Sequence, residues 1–184
     1  ILLFASLLTT TVFFAQETYL HCGKLIDTRN GKVLVNKTIV ISGKTIKSID
    51  DGFLNPTDAS TKVIDLKSKT VMPGWIDMHV HLEGETSPTA YLEEFTLNEA
   101  DVAYNAEGLA KTTLMAGFTT VRDLGGSGVN VSLRNAINRG KIIGPRIFTA
   151  EKALASTGGH ADPTSGYRKD LMGNPGPKEG VVNS

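Results

Sequence analysis

Alternating apolar and polar residues in the first third of the chain predict short β-strands joined by tight turns. The predicted strands cover residues 19–27, 32–34, 38–42, 45–49 and 62–66. Asn30-Gly31 and Ser42-Gly43-Lys44 lie between strands and are typical of hairpin turns, because these residue types accept positive φ angles. The alternation also predicts a sheet with one covered face, so residues 17–72 are expected to form a small β domain.

From residue 73 onward the pattern changes to apolar strands that alternate with helices. The predicted strands cover residues 75–82, 118–123 and 145–150, the predicted helices cover residues 100–116 and 131–139, and residues 83–88 are a polar loop. Gly117 and Gly140 follow the two helices and are suited to end them. Strands and helices that alternate in this way form right-handed βαβ units around a parallel sheet. Residues 73–184 are therefore expected to be α/β, as part of a barrel or of an open doubly wound sheet.

The strand predicted over residues 75–82 carries polar side chains at every second position, namely Asp77, His79 and His81. Since side chains at i and i+2 share one face of a strand, all three are expected to point to the same side. Two imidazoles on one rigid strand can share a divalent metal ion. The alternative is a half-exposed polar face, but the remaining side chains are apolar, and buried polar groups must be paired or metal-bound. We therefore predict His79 and His81 as metal ligands.

Four motifs make this chain resemble the amidohydrolase superfamily of metal-dependent hydrolases. The run PGWIDMHVH at residues 73–81 is similar to the first barrel strand of that superfamily. The runs AGFTTVRDLG at 116–125, GPRI at 144–147 and TGGH at 157–160 resemble its imidazolonepropionase-like branch, which includes prolidase-type dipeptidases. The resemblance extends from about residue 19 to residue 184.

The resemblance implies a TIM-type (β/α)8 barrel preceded by a small β-sandwich-like domain, both incomplete in these 184 residues. It implies that His79 and His81 bind the more buried ion of a site for one or two divalent metals, with zinc expected. Later strands would add a lysine and two histidines, and the catalytic aspartate would lie beyond residue 184. The implied reaction is hydrolysis of an amide or peptide bond, in dipeptides or N-acyl amino acids with a free carboxylate. A cyclic amide such as an imidazolone is the alternative substrate.

Two further side chains are expected near the histidines. Arg122, if it points towards the barrel axis, is expected to pair with Asp77 and orient the metal ligands; a helix cap or a surface ion pair is the alternative. The loop at residues 155–163 follows the third strand, and the similar loop of the prolidase-like branch contributes to the substrate pocket. His160 is therefore expected to contact substrate, unless it is simply an exposed loop histidine. Residues 125–128 are expected to form a flexible turn, and residues 167–180 a lid or a long connection.

Composition and the first residues bear on partners and location. Lys+Arg and Asp+Glu both number 19, so the chain has no charge excess that would attract nucleic acid or anionic lipid. The single cysteine, Cys22, cannot form an internal disulfide and is expected to be buried. Residues 1–15 are uncharged and fit the apolar part of a secretory signal peptide cleaved after Ala15; a buried strand or membrane anchor is the alternative. These features predict an exported protein, periplasmic or extracellular, without a stable membrane anchor and with a small-molecule or dipeptide substrate; a homo-oligomer is compatible with them.

The number of predicted elements suggests a piece of a longer protein. Eight strand–helix units need about 250 residues, so the three strands predicted here cannot close a barrel. The isolated chain is expected to be insoluble or molten because the open sheet exposes its edges, and a sharp cooperative melt would contradict this. The competing hypothesis from another functional class is a non-catalytic, β-rich binding module with a short α/β extension.

Overall fold

The computed structural model describes residues 16–183, so the predicted signal peptide at residues 1–15 lies outside the described residues. The chain divides into two compact units, one ending at Pro73 and the other beginning at Gly74. Within the described residues, every helix is too short or too polar to span a membrane.

The first unit is a single four-stranded sheet in the order β3-β2-β1-β4. Its strands are β1 (Glu17–Asp27), β2 (Lys32–Ser42), β3 (Thr45–Asp51) and β4 (Lys62–Val71). Strands β1 to β3 pair antiparallel through two hairpins, whereas β4 lies parallel to β1. Gly31 and Gly43 have positive φ angles of 65° and 59° at the hairpin turns. Strand β2 continues where two separate strands were predicted, with Asn36 at a φ of 50° in its middle.

A small apolar cluster covers one face of this sheet. Cys22, Leu25 and Ile39 are buried there, and burial raises the pKa of the Cys22 thiol. His21 is also buried, and its Nε2 lies 2.9 Å from the carbonyl oxygen of Leu54. Cys22 thus serves packing on the sheet, and His21 holds the connection between β3 and β4 by a hydrogen bond.

The second unit contains a parallel three-stranded sheet in the order β5-β6-β7. Its strands are β5 (Trp75–Val80), β6 (Phe118–Asp123) and β7 (Arg146–Thr149). Helices α1 (Ala90–Thr96) and α2 (Glu99–Met115) connect β5 to β6, and α3 (Val129–Asn138) connects β6 to β7. Two short turns follow, α4 (Lys169–Met172) and the 3-10 helix η1 (Pro177–Glu179). The predicted α/β class is confirmed, whereas α1 was not predicted.

Helices α2 and α3 pack on the same face of the parallel sheet. The core between them consists of buried apolar side chains from both helices, from β6 and β7, and from the residues after β5: Leu82, Ala106, Ala110, Val121, Leu133 and Ile147. The opposite face is open, with Ile76 and Phe148 being 62% and 60% exposed. Helices on one face of a parallel sheet, with the other face open, are the arrangement expected of part of a barrel wall.

Candidate metal centre

A bulge in β5 determines which way the side chains before the histidine pair point. Asp77 pairs with Val121 and Val80 pairs with Asp123, so β5 uses one residue more than β6 over this step. Partners in a parallel pair share a face, so Asp77 and Val80 lie on the side of the fully buried Val121. The predicted common face for Asp77 and the two histidines is therefore wrong, because the bulge interrupts the two-residue alternation.

His79 and His81 lie together at the carboxyl end of β5, and both are exposed. Their ring centres are 5.4 Å apart, with an angle of 71° between the ring planes. Two imidazoles that share one tetrahedral ion, with metal–nitrogen bonds of about 2.1 Å, have ring centres about 5 Å apart. The spacing of this histidine pair therefore fits two ligands of one metal ion.

The ring of His81 is oriented by a backbone carbonyl. Its Nδ1 lies 2.8 Å from the carbonyl oxygen of Gly125. Because a carbonyl oxygen can only accept, Nδ1 carries the proton in this hydrogen bond and the lone pair of Nε2 is left for a metal. Gly125 is buried, and a Cβ at this position would lie 2.7 Å from the Cβ of Ala153. Only glycine therefore fits where the chain passes the His81 ring.

Within residues 16–183, no group of three or more His, Cys, Asp or Glu side chains is placed to hold a metal ion. His79 and His81 account for two donors, and tetrahedral coordination requires two more. Two neutral imidazoles, one of them hydrogen-bonded through its far nitrogen, are suitable donors for zinc and related ions. The residues present thus fit part of the ligand set that the resemblance implies.

A cavity of about 780 Å³ opens beside the histidine pair. It is lined by both histidines and by His160, Lys152 and Glu179, with apolar walls that include Leu124 and Leu154. The volume lies within the range of about 300–1,000 Å³ that small-molecule sites occupy. The structure therefore brings His160, predicted to contact substrate, to the same cavity as the predicted metal ligands.

Asp77 and Arg122 do not line this cavity, and their side chains contact the backbone of β5. The carboxylate of Asp77 accepts the backbone N–H of His79 at 3.0 Å. The Nε of Arg122 donates to the carbonyl of Met78 at 2.8 Å. In the described part of the chain these two side chains form no ion pair. A role for either residue in orienting the metal ligands stays a prediction.

A buried carboxylate fixes the loop that carries His160. Asp162 is 4% exposed and accepts the backbone N–H of Gly158 at 2.7 Å. It also accepts the backbone N–H and the hydroxyl of Thr164, at 2.8 Å and 2.7 Å. These bonds hold the pKa of Asp162 below its ordinary value, with the Gly158 N–H as the largest cause and Thr164 next. The Asp-Pro-Thr sequence could have indicated this turn, since aspartate often accepts the backbone N–H two residues on.

The lowered pKa of Asp162 predicts how the loop responds to acid. A carboxylate with a depressed folded-state pKa contributes stability above its unfolded pKa of about 3.9, and this is lost as the pH falls through the folded value. We expect the Gly158 and Thr164 amides to stay protected from hydrogen exchange at pH 5–8 and to lose protection only below about pH 4. In Asp162→Asn both amides should exchange rapidly at every pH. Equal protection in this variant and the wild type would contradict the prediction.

Two charged residues of the cavity were missed by sequence reasoning. Lys152 follows the carboxyl end of β7, and its Nζ donates to the carbonyl of Lys178 at 3.0 Å. Glu179 comes into the cavity because the chain returns beside it, through a bridge between Ala155 and Val181. The N–H of Gly176 is the largest cause that lowers the pKa of the Glu179 carboxyl, followed by its own N–H and the charges of Lys152 and Lys178. The strand-end position could have identified Lys152, whereas no local pattern indicates Glu179.

The glycine-rich residues 125–128 are held by hydrogen bonds. The carboxylate of Glu83 accepts the backbone N–H groups of Ser127 and Asn130, both at 2.6 Å. Gly126 donates to the carbonyl of Glu151 at 2.7 Å. The expected flexible turn is therefore wrong, because the sequence does not show that Glu83 lies opposite these N–H groups.

The long connection after β7 is fastened to α1 by an aromatic cluster. The ring of Tyr167 stacks on that of Tyr91, with ring centres 4.6 Å apart and an interplanar angle of 13°. The Tyr167 hydroxyl donates to the carboxylate of Glu94, which raises the pKa of Tyr167 to about 12. Of the two predictions for residues 167–180, the structure favours the long connection over a free lid.

This chain is similar to a known protein family and to solved structures. The model of the amidohydrolase family matches residues 70–180. The crystal structure of a Xaa-Pro dipeptidase with methionine bound in its active site is similar with a TM-score of 0.81 and 44% sequence identity. That match covers 91% of this chain and 41% of the dipeptidase.

Two curated relatives have other substrates in their names. An ochratoxinase of Aspergillus niger is 33% identical over 158 residues, which is 80% of this chain and 31% of the ochratoxinase. An imidazolonepropionase of Paenarthrobacter aurescens is 37% identical over 82 residues, covering 45% of this chain and 19% of that enzyme. The chain thus spans less than a third of the length of these curated relatives.

Proposed function

Because this chain belongs to the amidohydrolase family, we propose that the full-length protein is a metal-dependent hydrolase of dipeptides or N-acyl amino acids that carry a free carboxylate. The observation that carries the proposal is the histidine pair, whose ring centres are 5.4 Å apart at the edge of a cavity of about 780 Å³. A metal ion bound there would polarise the scissile carbonyl and lower the pKa of a bound water. The similarity to a Xaa-Pro dipeptidase and an ochratoxinase supports an amide bond as the target.

The residues of this chain have distinct tasks in that reaction. His79 and His81 hold the ion, and the Gly125 carbonyl keeps the His81 ring in the tautomer that presents Nε2. Leu124 and Leu154 contribute apolar surface to the cavity wall. The cavity is therefore equipped to bind a substrate of dipeptide size next to the metal ligands.

The polar groups opposite the histidine pair support a substrate with a free carboxylate. Lys152 and His160 both line the cavity, and either can donate a hydrogen bond to a carboxylate. Lys152 is already tied by one hydrogen bond to the Lys178 carbonyl, so its ammonium is oriented and keeps two further protons for a ligand. In the similar dipeptidase the bound molecule is methionine, a free amino acid with such a carboxylate.

A cyclic amide of the imidazolone type is the second candidate substrate. The similarity to an imidazolonepropionase, 37% identity over 82 residues, supports it. Both reactions add water across a C–N bond, and the same histidine pair would serve each. Only the shape and charge of the substrate pocket distinguish them.

A substrate panel tests the proposal with the full-length protein. We expect metal-free protein to be inactive, and zinc, cobalt or manganese to restore hydrolysis of dipeptides and N-acyl amino acids. Ring opening of a cyclic amide, followed by ultraviolet absorbance, is expected to be much slower than dipeptide cleavage, followed by ninhydrin. Faster turnover of the cyclic amide would establish the second candidate, and hydrolysis that persists without metal would refute both.

We also propose that the protein is exported. The support is the uncharged apolar stretch at residues 1–15, which suits a secretory signal peptide. Cell fractionation tests this, and a cytoplasmic location of the intact precursor would contradict it.

A further inference from the structure

The side chain of Asp123, at the end of β6, is fully buried beneath the candidate metal centre. Its Oδ2 accepts the backbone N–H of Leu82 at 3.1 Å. Its Oδ1 accepts the backbone N–H of Gly125 at 3.2 Å and the side-chain N–H of Asn130 at 3.1 Å. A buried carboxylate that accepts three N–H groups holds each of them more firmly than a neutral acceptor would.

Two of these three contacts lead directly to His81. Leu82 is the next residue along the chain, so its N–H bond to Asp123 fixes the backbone where the histidine is attached. Gly125 donates its N–H to Asp123 and accepts the His81 Nδ1–H with its carbonyl, 2.8 Å away. The Asp123 carboxylate thus positions the backbone from which the His81 side chain extends. It also positions the Gly125 carbonyl that accepts the hydrogen bond of the His81 ring.

Asn130 holds the carboxylate in place from the first turn of α3. It is fully buried, and its Nδ2 donates both to Asp123 and to the carbonyl of Glu151, at 3.1 Å and 2.9 Å. Its backbone N–H is bound by the carboxylate of Glu83 at 2.6 Å. The ends of β6 and β7 and the segment after β5 are therefore joined to one helix terminus, so a movement of Asp123 must disturb all three.

We propose that Asp123 is a positioning residue that fixes the orientation and the Nδ1–H tautomer of His81 through Leu82 and Gly125. Its effect on metal binding rests on the proposed function, whereas its effect on the tautomer does not require metal. This role is separate from the one predicted for Arg122, which contacts the backbone of β5 at Met78. Arg122 lies on the opposite, exposed face of β6, while Asp123 points to the helix side and reaches the carbonyl partner of the ligand.

Asp123→Asn in the full-length protein tests this. Asparagine keeps the shape but has one acceptor oxygen, so its amide must face an N–H donor and at least one of the three bonds is lost. We expect metal affinity, measured by chelator competition, to fall about 10- to 100-fold. In the metal-free variant, long-range ¹H–¹⁵N NMR should show His81 with a substantial Nε2–H fraction, whereas the wild type should show the Nδ1–H tautomer.

Asp101→Asn is the matched control. Asp101 also accepts a backbone N–H, that of Asn98 at the start of α2, and lies outside this network. The control should lose some stability yet keep wild-type metal affinity and tautomer. A purely structural role for Asp123 predicts that Asp123→Asn loses stability but keeps the wild-type His81 tautomer. Asp123→Asn with wild-type tautomer and affinity would overturn the proposal.

A second variant covers the case in which Asp123→Asn does not fold. Asn130→Ala removes one donor to Asp123 and should shift the His81 tautomer and metal affinity in the same direction by a smaller amount. An unchanged tautomer in folded Asn130→Ala, or a mixed tautomer in the metal-free wild type, would overturn the proposal. If the wild type binds no metal at the histidine pair, the proposed function fails, while the tautomer measurement still decides the role of Asp123.

Discussion

Full-length protein in which His79 and His81 are both replaced by alanine is expected to lose metal at this centre and nearly all hydrolytic activity. The two rings lie 5.4 Å apart, and in the proposed site they are the metal donors that this unit contributes. Metal catalysis is worth several kcal/mol of transition-state stabilisation and each ~1.4 kcal/mol is tenfold in rate, so kcat/KM should fall about a thousand-fold or more. Metal content by mass spectrometry and initial rates on a dipeptide measure the two losses.

His160→Ala is the matched control for that result. His160 lines the same cavity but is expected to contact substrate, so this variant should keep its metal content and show a raised KM. Folding of each variant is checked by circular dichroism. A double variant that retains metal and activity would exclude the histidine pair as the centre and would favour the non-catalytic alternative for this chain.

Lys152→Met is expected to lower kcat/KM by about 10- to 100-fold for substrates with a free carboxylate, since a hydrogen bond to a charged group contributes about 1.5–3 kcal/mol. The change removes the ammonium and leaves an apolar stem of similar length in the cavity. The comparison that decides is a dipeptide against its C-terminal amide. The wild type should prefer the free acid, and Lys152→Met should lose most of that preference.

Lys178→Met serves as the control for Lys152→Met. Only the backbone carbonyl of Lys178 contacts Lys152, and its own side chain is exposed, so removing this charge should leave the preference for the free acid intact. If both variants lost the preference for the free acid to a similar extent, the positive charge around the cavity would explain the preference, and a specific contact from Lys152 would not be needed. An unchanged preference in Lys152→Met would assign the carboxylate contact to His160 or to another group.

Several elements were predictable because their determinants are local. Strand β6 (Phe118–Asp123) was predicted with the bounds that it has, since a run of aromatic and β-branched residues follows a glycine that ends the preceding helix. The motifs led to the family that the comparison confirms. In contrast, α1 (Ala90–Thr96) was missed, because its aromatic side chains pack on Tyr167 much later in the chain.

Both errors near the candidate metal centre arise from contacts between segments that are far apart in the chain. Period-two alternation placed Asp77 beside the histidine pair, but pairing with β6 introduces a bulge between Asp77 and Val80. The turn at residues 125–128 looked flexible because glycine permits many conformations. It is fixed by acceptors from Glu83 and Glu151, whose positions depend on other strand ends.

The sequence by itself determined the family, the α/β class, the histidine pair and the loop that brings His160 to it. These follow from residue type, local spacing and backbone preference, which act over a few neighbouring residues. Only the tertiary structure decided the tautomer of His81, the burial of Asp123 and the arrival of Lys152 and Glu179 in the cavity. Those features depend on hydrogen bonds and packing between strand ends far apart in the chain. Local sequence patterns do not indicate which of these distant segments come into contact.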